Sequence, residues 1–189
     1  MIQTKEDLLF YLEQDRKALS IARKSPRMFA DEVWKFQRSL RRLEYLTNTH
    51  HTGGGKIRLL IEKFRFHRLS IKLGFSIPIN VFGPGLAIVH YGTIVVANGA
   101  KIGANCRIHE GVTIGATNGS SKAAIIGDNV FIGSGAKIIG EVRISSNVAI
   151  AANAVVVRDV ICENGCTVGG VPAKIISSNN SISNMHIIE

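Results

Sequence analysis

The chain has 189 residues, of which 46% are hydrophobic, a formal net charge of +9 and three cysteines. That length holds one or two domains with a real core, and the hydrophobic share excludes a disordered chain. The most apolar stretch, Ile77 to Val96, is broken by Pro78, Gly83, Pro84, Gly85 and Gly92, so a membrane span is not expected.

The charge is uneven. Residues 1–73 carry 16 Lys and Arg against 8 Asp and Glu, a net +8, whereas residues 74–189 carry only +1. A basic N-terminal part could attract an anionic ligand, a membrane surface or nucleic acid, or be a solvated helical surface. A single Trp and no RNA-binding motif argue against nucleic acid. The opening Met1-Ile-Gln-Thr-Lys-Glu-Asp7 does not read as a signal peptide. The three cysteines fit a reducing compartment as small apolar core residues, so a cytoplasmic protein is expected. A Cys162/Cys166 metal pair would need two further ligands that the neighbouring sequence does not offer.

Residues 1–73 read as a small α-helical domain. Thr4 and Asp7 form a capping pair, followed by Leu8, Tyr11, Leu12 and Leu19 at helical spacing. Ser25-Pro26 reads as a second start, with Pro at the first helical position, ahead of Trp34, Leu40, Leu43 and Leu46. His50 to Gly55 reads as a loop, and its glycines lack the Gly-Lys-Ser/Thr of a phosphate loop. A third helix is predicted from Lys56 to about Leu73. It is basic and amphipathic, suited to a partner helix or a membrane surface.

From Gly74 the pattern changes. Between Val96 and Val168 a large aliphatic residue opens nearly every six-residue unit: Val96, Ile102, Ile108, Ile114, then Ile126, Ile132, Ile138, Ile144, Ile150, Val156, Cys162 and Val168. Neither a helix nor a simple strand has that period. Such repeats stack around one continuous core, and a six-residue unit is a short strand plus a corner. The predicted fold is mainly β: a left-handed parallel β-helix of hexapeptide repeats over residues 74–176, preceded by the helices and followed by a flexible tail, 177–189. Residues 117–124 interrupt the pattern, as an extruded loop or one degenerate rung.

Counting back in sixes from Ile102 puts His90 at an opener position, where an aliphatic residue is expected. One coil of three units later come His109 and Glu110. Adjacent parallel strands lie about 4.8 Å apart, so the three residues share a neighbourhood. A neutral imidazole is the usual general base near pH 7, and a carboxylate or carbonyl fixes its tautomer. No Asp or Glu lies between Glu62 and Glu110. Glu110, Asp15, Asp128 or a backbone carbonyl could therefore orient His90. The β-helix enzymes that bind zinc use a His-x4-His pair, which this sequence lacks, so no metal is expected.

The segment Ile88-Val-His-Tyr-Gly-Thr-Ile-Val-Val96, the coils, and the ending Val168-Gly-Gly-Val-Pro-Ala-Lys174 together resemble the serine O-acetyltransferases, acetyl-CoA-dependent enzymes of the hexapeptide-repeat acyltransferases. The shorter branch, associated with polysaccharide biosynthesis, is the most similar. The resemblance implies His90 as catalytic base and Asp15 as a contact to the serine acceptor. It implies Ala116, Ser134, Ala152, Gly170 and Lys174 along the CoA groove. It also implies sites between subunits of a homotrimer, or of two trimers joined through the helices. The chain departs from the family where the aspartate that pairs with the histidine aligns with Phe75, and the acidic residue before the histidine is Val89. The Arg-His pair gripping the serine carboxylate aligns with Lys122-Ala123, and Lys offers a point charge rather than a fork. The implied function is O-acetyl transfer from acetyl-CoA, to serine in the service of cysteine biosynthesis or to a sugar or polysaccharide intermediate. A non-catalytic scaffold is the reading from a different class.

Overall fold

The computed structural model describes residues 1–49 and 54–185. Helices α1 (Lys5–Ala18), α2 (Glu32–Asn48) and α3 (Gly54–Leu73) precede fourteen short strands. The strands stack into three sheets, parallel except for the last strand. The first face stacks Phe75–Ser76, Ile94–Val96, Thr113–Gly115, Lys137–Ile139 and Val155–Val156. The second stacks Lys101–Ile102, Ile125–Ile126 and Arg143–Ile144. The third runs from Ala87–Ile88 through Arg107–Ile108, Phe131–Ile132 and Ala149–Ile150 to Thr167–Gly169. The chain visits the faces in turn, giving the three-sided left-handed parallel β-helix that the repeat predicts.

The repeat has a direct physical meaning. Ile108, Ile114, Ile132, Ile138 and Ile150 point inward and are fully buried, each worth about 1.5–3 kcal/mol of apolar burial. Three residues after an opener the backbone turns left-handed, as at Asn105, Asn129 and Asn147. Asn tolerates that conformation better than most residues. Their side chains form a ladder, Asn105 Nδ2 donating to Asn129 Oδ1 at 2.9 Å and Asn129 Nδ2 to Asn147 Oδ1 at 3.0 Å.

Several expectations need correction. Residues 117–124 form an extruded loop, since Ile114 lies on the first face and Ile126 on the next. His90 does not hold an opener position: Ile88 pairs with Ile108 and Phe82 with Ile102. Val96 therefore stands eight positions after Ile88 instead of six, and the two surplus residues widen one corner. His90 sits exposed on that corner instead of breaking the core rule. Near the other end Val160, rather than Cys162, pairs with Ile144. Cys162 and Cys166 are joined to each other by a disulfide, so Cys106 is the one free thiol among the described residues.

The helices also differ from expectation in one place. The Thr4–Asp7 capping box forms as predicted, but α2 begins at Glu32 and not at Pro26. The intervening segment folds around Asp31, which pairs with Arg23 at 2.6 Å and Arg27 at 3.1 Å. The expected flexible tail is anchored as far as residue 185. Lys174–Ser177 pairs antiparallel with Thr167–Gly169, and buried Ser181 donates its backbone N–H to Asn147 O at 3.0 Å. His50, His51 and His186 lie outside the described residues.

The first coil has no preceding coil to satisfy its backbone. Side chains from the helices do so instead. Asp15 accepts from the N–H groups of Gly85 and Leu86 at 3.0 and 2.8 Å. Gln37 bridges Leu86 O and Ile88 N at 2.6 and 3.1 Å. Arg41 donates to the carbonyls of Phe82 and Gly83, and Glu44 accepts from Asn80 N at 2.8 Å.

Candidate active site

The corner between the third and first faces gathers most of the candidate residues. It is one column of short turns, one per coil, so residues distant in sequence stand over one another. His90 comes from the first turn and His109 and Glu110 from the second. Ser134 follows on the third, with Gly135 N bonded to Glu110 O at 2.8 Å. Ala152 follows on the fourth, with Asn153 N bonded to Ser134 O at 2.9 Å. Gly170 lies on the fifth, its carbonyl accepting from Val155 N at 3.0 Å. The wide first turn matters for this stacking: a Cβ at Gly92 would meet the Glu110 Cβ at 3.0 Å.

The His90 and His109 rings lie 5.9 Å apart between centroids, and His109 leans on Phe131 at 5.1 Å. One donor atom from each of His90, His109 and Glu110 falls within 4.8 Å of the others. His109 Nδ1 stands 4.0 Å from Glu110 Oε2, wider than the edge of about 3.3 Å that ligands make around tetrahedral zinc. His109 Nε2 and Glu110 Oε2 are both buried with no hydrogen-bond partner. Two such atoms at one spot leave hydrogen-bonding capacity that a water, an ion or a ligand could take up.

The electrostatics favour a neutral imidazole beside a charged carboxylate. Burial, then Arg107, pushes the pKa of His109 below its ordinary value. A hydrogen bond from Ser134, then backbone N–H donation, holds the Glu110 carboxyl below its ordinary range. Val89 and Tyr91, on either side of His90, line a separate cleft of about 390 Å³ with Trp34, Arg23 and Asp31. Trp34 Nε1 is another buried donor without a partner.

The remaining candidates separate cleanly. Asp15 is not available to an acceptor: it is 2% exposed, and its carboxylate grips Arg41 at 2.8 and 3.2 Å as well as the first coil. Burial works against the Arg41 charge, but Asp15 and Glu44 outweigh it and hold the guanidinium pKa above its usual value. Asp128 accepts from Ala104 N at 2.6 Å and braces another corner. Phe75 is core, edge-on to Phe36 at 5.0 Å. Of the carboxylates named for His90, Glu110 alone stands beside it. Ala116 and Lys122 belong to the corner between the first and second faces, where Lys122 pairs with Glu141 at 3.4 Å, so one chain does not bring them to His90. Lys174 is exposed on the last strand. Gln37, Arg41 and Glu44 stand at i, i+4 and i+7 on one face of α2, but their polar character concealed that this face is buried.

The fold class is thus a three-sided parallel β-helix of hexapeptide repeats. Residues 123–158 match the bacterial transferase hexapeptide family of six repeats. More particularly, the chain is 40% identical over 96 residues to a serine acetyltransferase of Synechococcus elongatus, covering 50% of this chain and 38% of that protein. A serine acetyltransferase of Staphylococcus aureus is 39% identical over 99 residues, 51% of this chain and 46% of that protein. The matched stretch thus spans less than half the length of either relative. Among solved structures, the serine acetyltransferase of Neisseria gonorrhoeae in complex with serine superposes with a TM-score of 0.68 and 28% identity, covering 90% of this chain and 69% of that one.

Proposed function

We propose that this chain is an acetyl-CoA-dependent O-acetyltransferase whose acceptor is the hydroxyl of serine or a serine-like molecule. The observation that carries the reading is the column at one corner: an exposed imidazole against His109 and Glu110, with Ser134, Ala152 and Gly170 continuing along the same edge. These are small residues, and the turns rise about 4.8 Å per coil, which suits an extended thioester arm laid along them. Lys174 stands near the end of that groove.

In this reading His90 takes the proton from the acceptor hydroxyl. The freed oxygen attacks the thioester carbonyl, a C–O bond forms, the C–S bond breaks, and His90 returns the proton to the departing thiol. Backbone N–H groups at the groove stabilise the oxyanion. His109, kept neutral by burial and Arg107, and Glu110 stand beside the His90 ring and would orient it once an acceptor binds, in place of the aspartate whose position Phe75 takes. A homotrimer would bring the 116–124 loop of a neighbouring copy, with Ala116 and Lys122, alongside the His90 column.

One observation favours a second acceptor class. Lys122 already pairs with Glu141, and Ala123 is buried, so these two positions offer no Arg-His grip for an amino-acid carboxylate. A sugar hydroxyl needs no such grip. The test is thiol release from acetyl-CoA with serine, then with a panel of sugars. Serine-dependent release supports the first reading, and sugar-dependent release alone replaces it with the second. Release with neither acceptor overturns both. His90→Ala, at an exposed position, is expected to lower turnover by about 10²-fold or more. Unchanged turnover would remove His90 from the mechanism.

A further inference from the structure

Helix α3 is apolar on two sides. Its inner side turns Glu62 and Leu73 into the protein, with Phe66 and Leu69 packed against the core. Its outer side presents Ile57, Leu60, Ile61, Phe64 and Ile71, each 61–68% exposed. At roughly 100° per residue these five, with Arg68 among them, fill one stripe about 100° wide and about 21 Å long. Arg58, Arg65 and Lys72 border it on one side, and Lys56, Lys63 and His67 on the other. The helix holds six Lys and Arg against a single acid, Glu62. That carboxylate is turned inward and accepts from the Ser39 hydroxyl.

The stripe runs into a cleft of about 690 Å³ between the three helices. Lys5, Arg42 and Arg58 line it together with Leu8, Leu46 and Ile61, and with Glu62, whose carboxylate is bonded to Ser39. Three cations against one carboxylate that is already hydrogen-bonded leave a net positive rim over an apolar floor, which suits a phosphate headgroup with an acyl chain below it. Ile61 and Arg58 belong to both the stripe and the cleft, so the two form one continuous surface.

We infer that this face of the helical layer docks on a membrane surface rich in anionic phospholipid, with α3 lying in the interface. The chemistry selects this occupant. An apolar stripe bordered by cations on both sides suits the boundary between headgroups and acyl chains. A second copy of α3 would instead bring two helices of net charge +5 together. Among the described residues no helix is long and apolar enough to cross a membrane, so the contact is peripheral. The inference is independent of which acceptor the active site takes.

The experiment is co-sedimentation of the full chain with vesicles of phosphatidylcholine, with and without one quarter phosphatidylglycerol. The chain is expected to pellet with the anionic vesicles and stay in solution with the neutral ones, and the binding to weaken as salt rises. Leu60→Ser with Phe64→Ser, and separately Arg58→Glu with Arg65→Glu, should each lower partitioning by about tenfold or more. All four positions are exposed, so an unchanged melting temperature verifies the fold. Absence of pelleting, equal pelleting with neutral vesicles, or pelleting indifferent to both pairs would overturn the inference. Failure to bind vesicles, together with a solution mass reduced by the Leu60/Phe64 pair, would assign the face to a second copy.

Discussion

The β-helix and the helical layer bury polar backbone in different ways. Each inner coil finds its hydrogen-bond partners in the coils on either side, so its interior needs only aliphatic residues, as at Ile114, Ile132 and Ile138. The first coil lacks one neighbour. Asp15, Gln37, Arg41 and Glu44 supply the missing donors and acceptors from α1 and α2. A repeat can therefore be built from one simple rule, but its end cannot. An unpaired strand edge must be covered, and covering it here takes buried charge.

The sharpest way to break that contrast is Arg41→Ala. It leaves two carboxylates buried without their partner, an expected loss of about 3–5 kcal/mol, read as a fall in denaturant midpoint. Burial already raises the Glu44 pKa above its ordinary value despite Arg41. In the variant the Glu44 carboxyl would be neutralised more readily in the folded state, so its stability should recover as pH falls. Ile132→Ala in the middle of the coils is expected to cost about 2–5 kcal/mol through a cavity, with the same loss at every pH. An equal pH response in the two variants would erase the distinction.

A smaller effect concerns the active corner. The folded state holds the His109 pKa below its ordinary 6.5, so the native chain resists protonation there more than the unfolded chain does. That contribution is complete above about pH 6.5 and is lost as pH falls toward the lower folded value. The melting temperature should drop over that window, and His109→Gln should flatten the slope. Smallest of all is the response of Cys106, whose thiol burial pushes up to about 12. A maleimide reagent at pH 8 should label it only after unfolding. Rapid labelling of the native chain would mean that the coils open more easily than their packing implies.

The repeat made the β-helix legible because inward residues recur wherever the chain turns a regular corner. The register of His90 was not legible by counting in sixes, because corners differ in length. A better signal was available. Left-handed residues stand three after most openers, and Gly85, with φ of 82°, stands three after Phe82. That spacing points to Phe82 and then Ile88 as the openers, leaving His90 outside. His109 and Glu110 were expected beside His90 from an even coil that set Ile108 over His90; Ile108 in fact lies over Ile88, and the neighbourhood survives because all three residues lie on the same corner. The fate of Asp15 was not, because its partners are backbone groups of the first coil and an arginine 26 residues away. No periodicity records such contacts.

The wide corner at residues 89–93 separates chemistry from architecture. Two surplus residues carry His90 clear of the stack without disturbing an inward isoleucine. Removing them would restore an even count and turn this edge of the prism into a copy of the other turns. Local chain length thus decides which side chains a corner presents to solvent, while the inward residues keep their register.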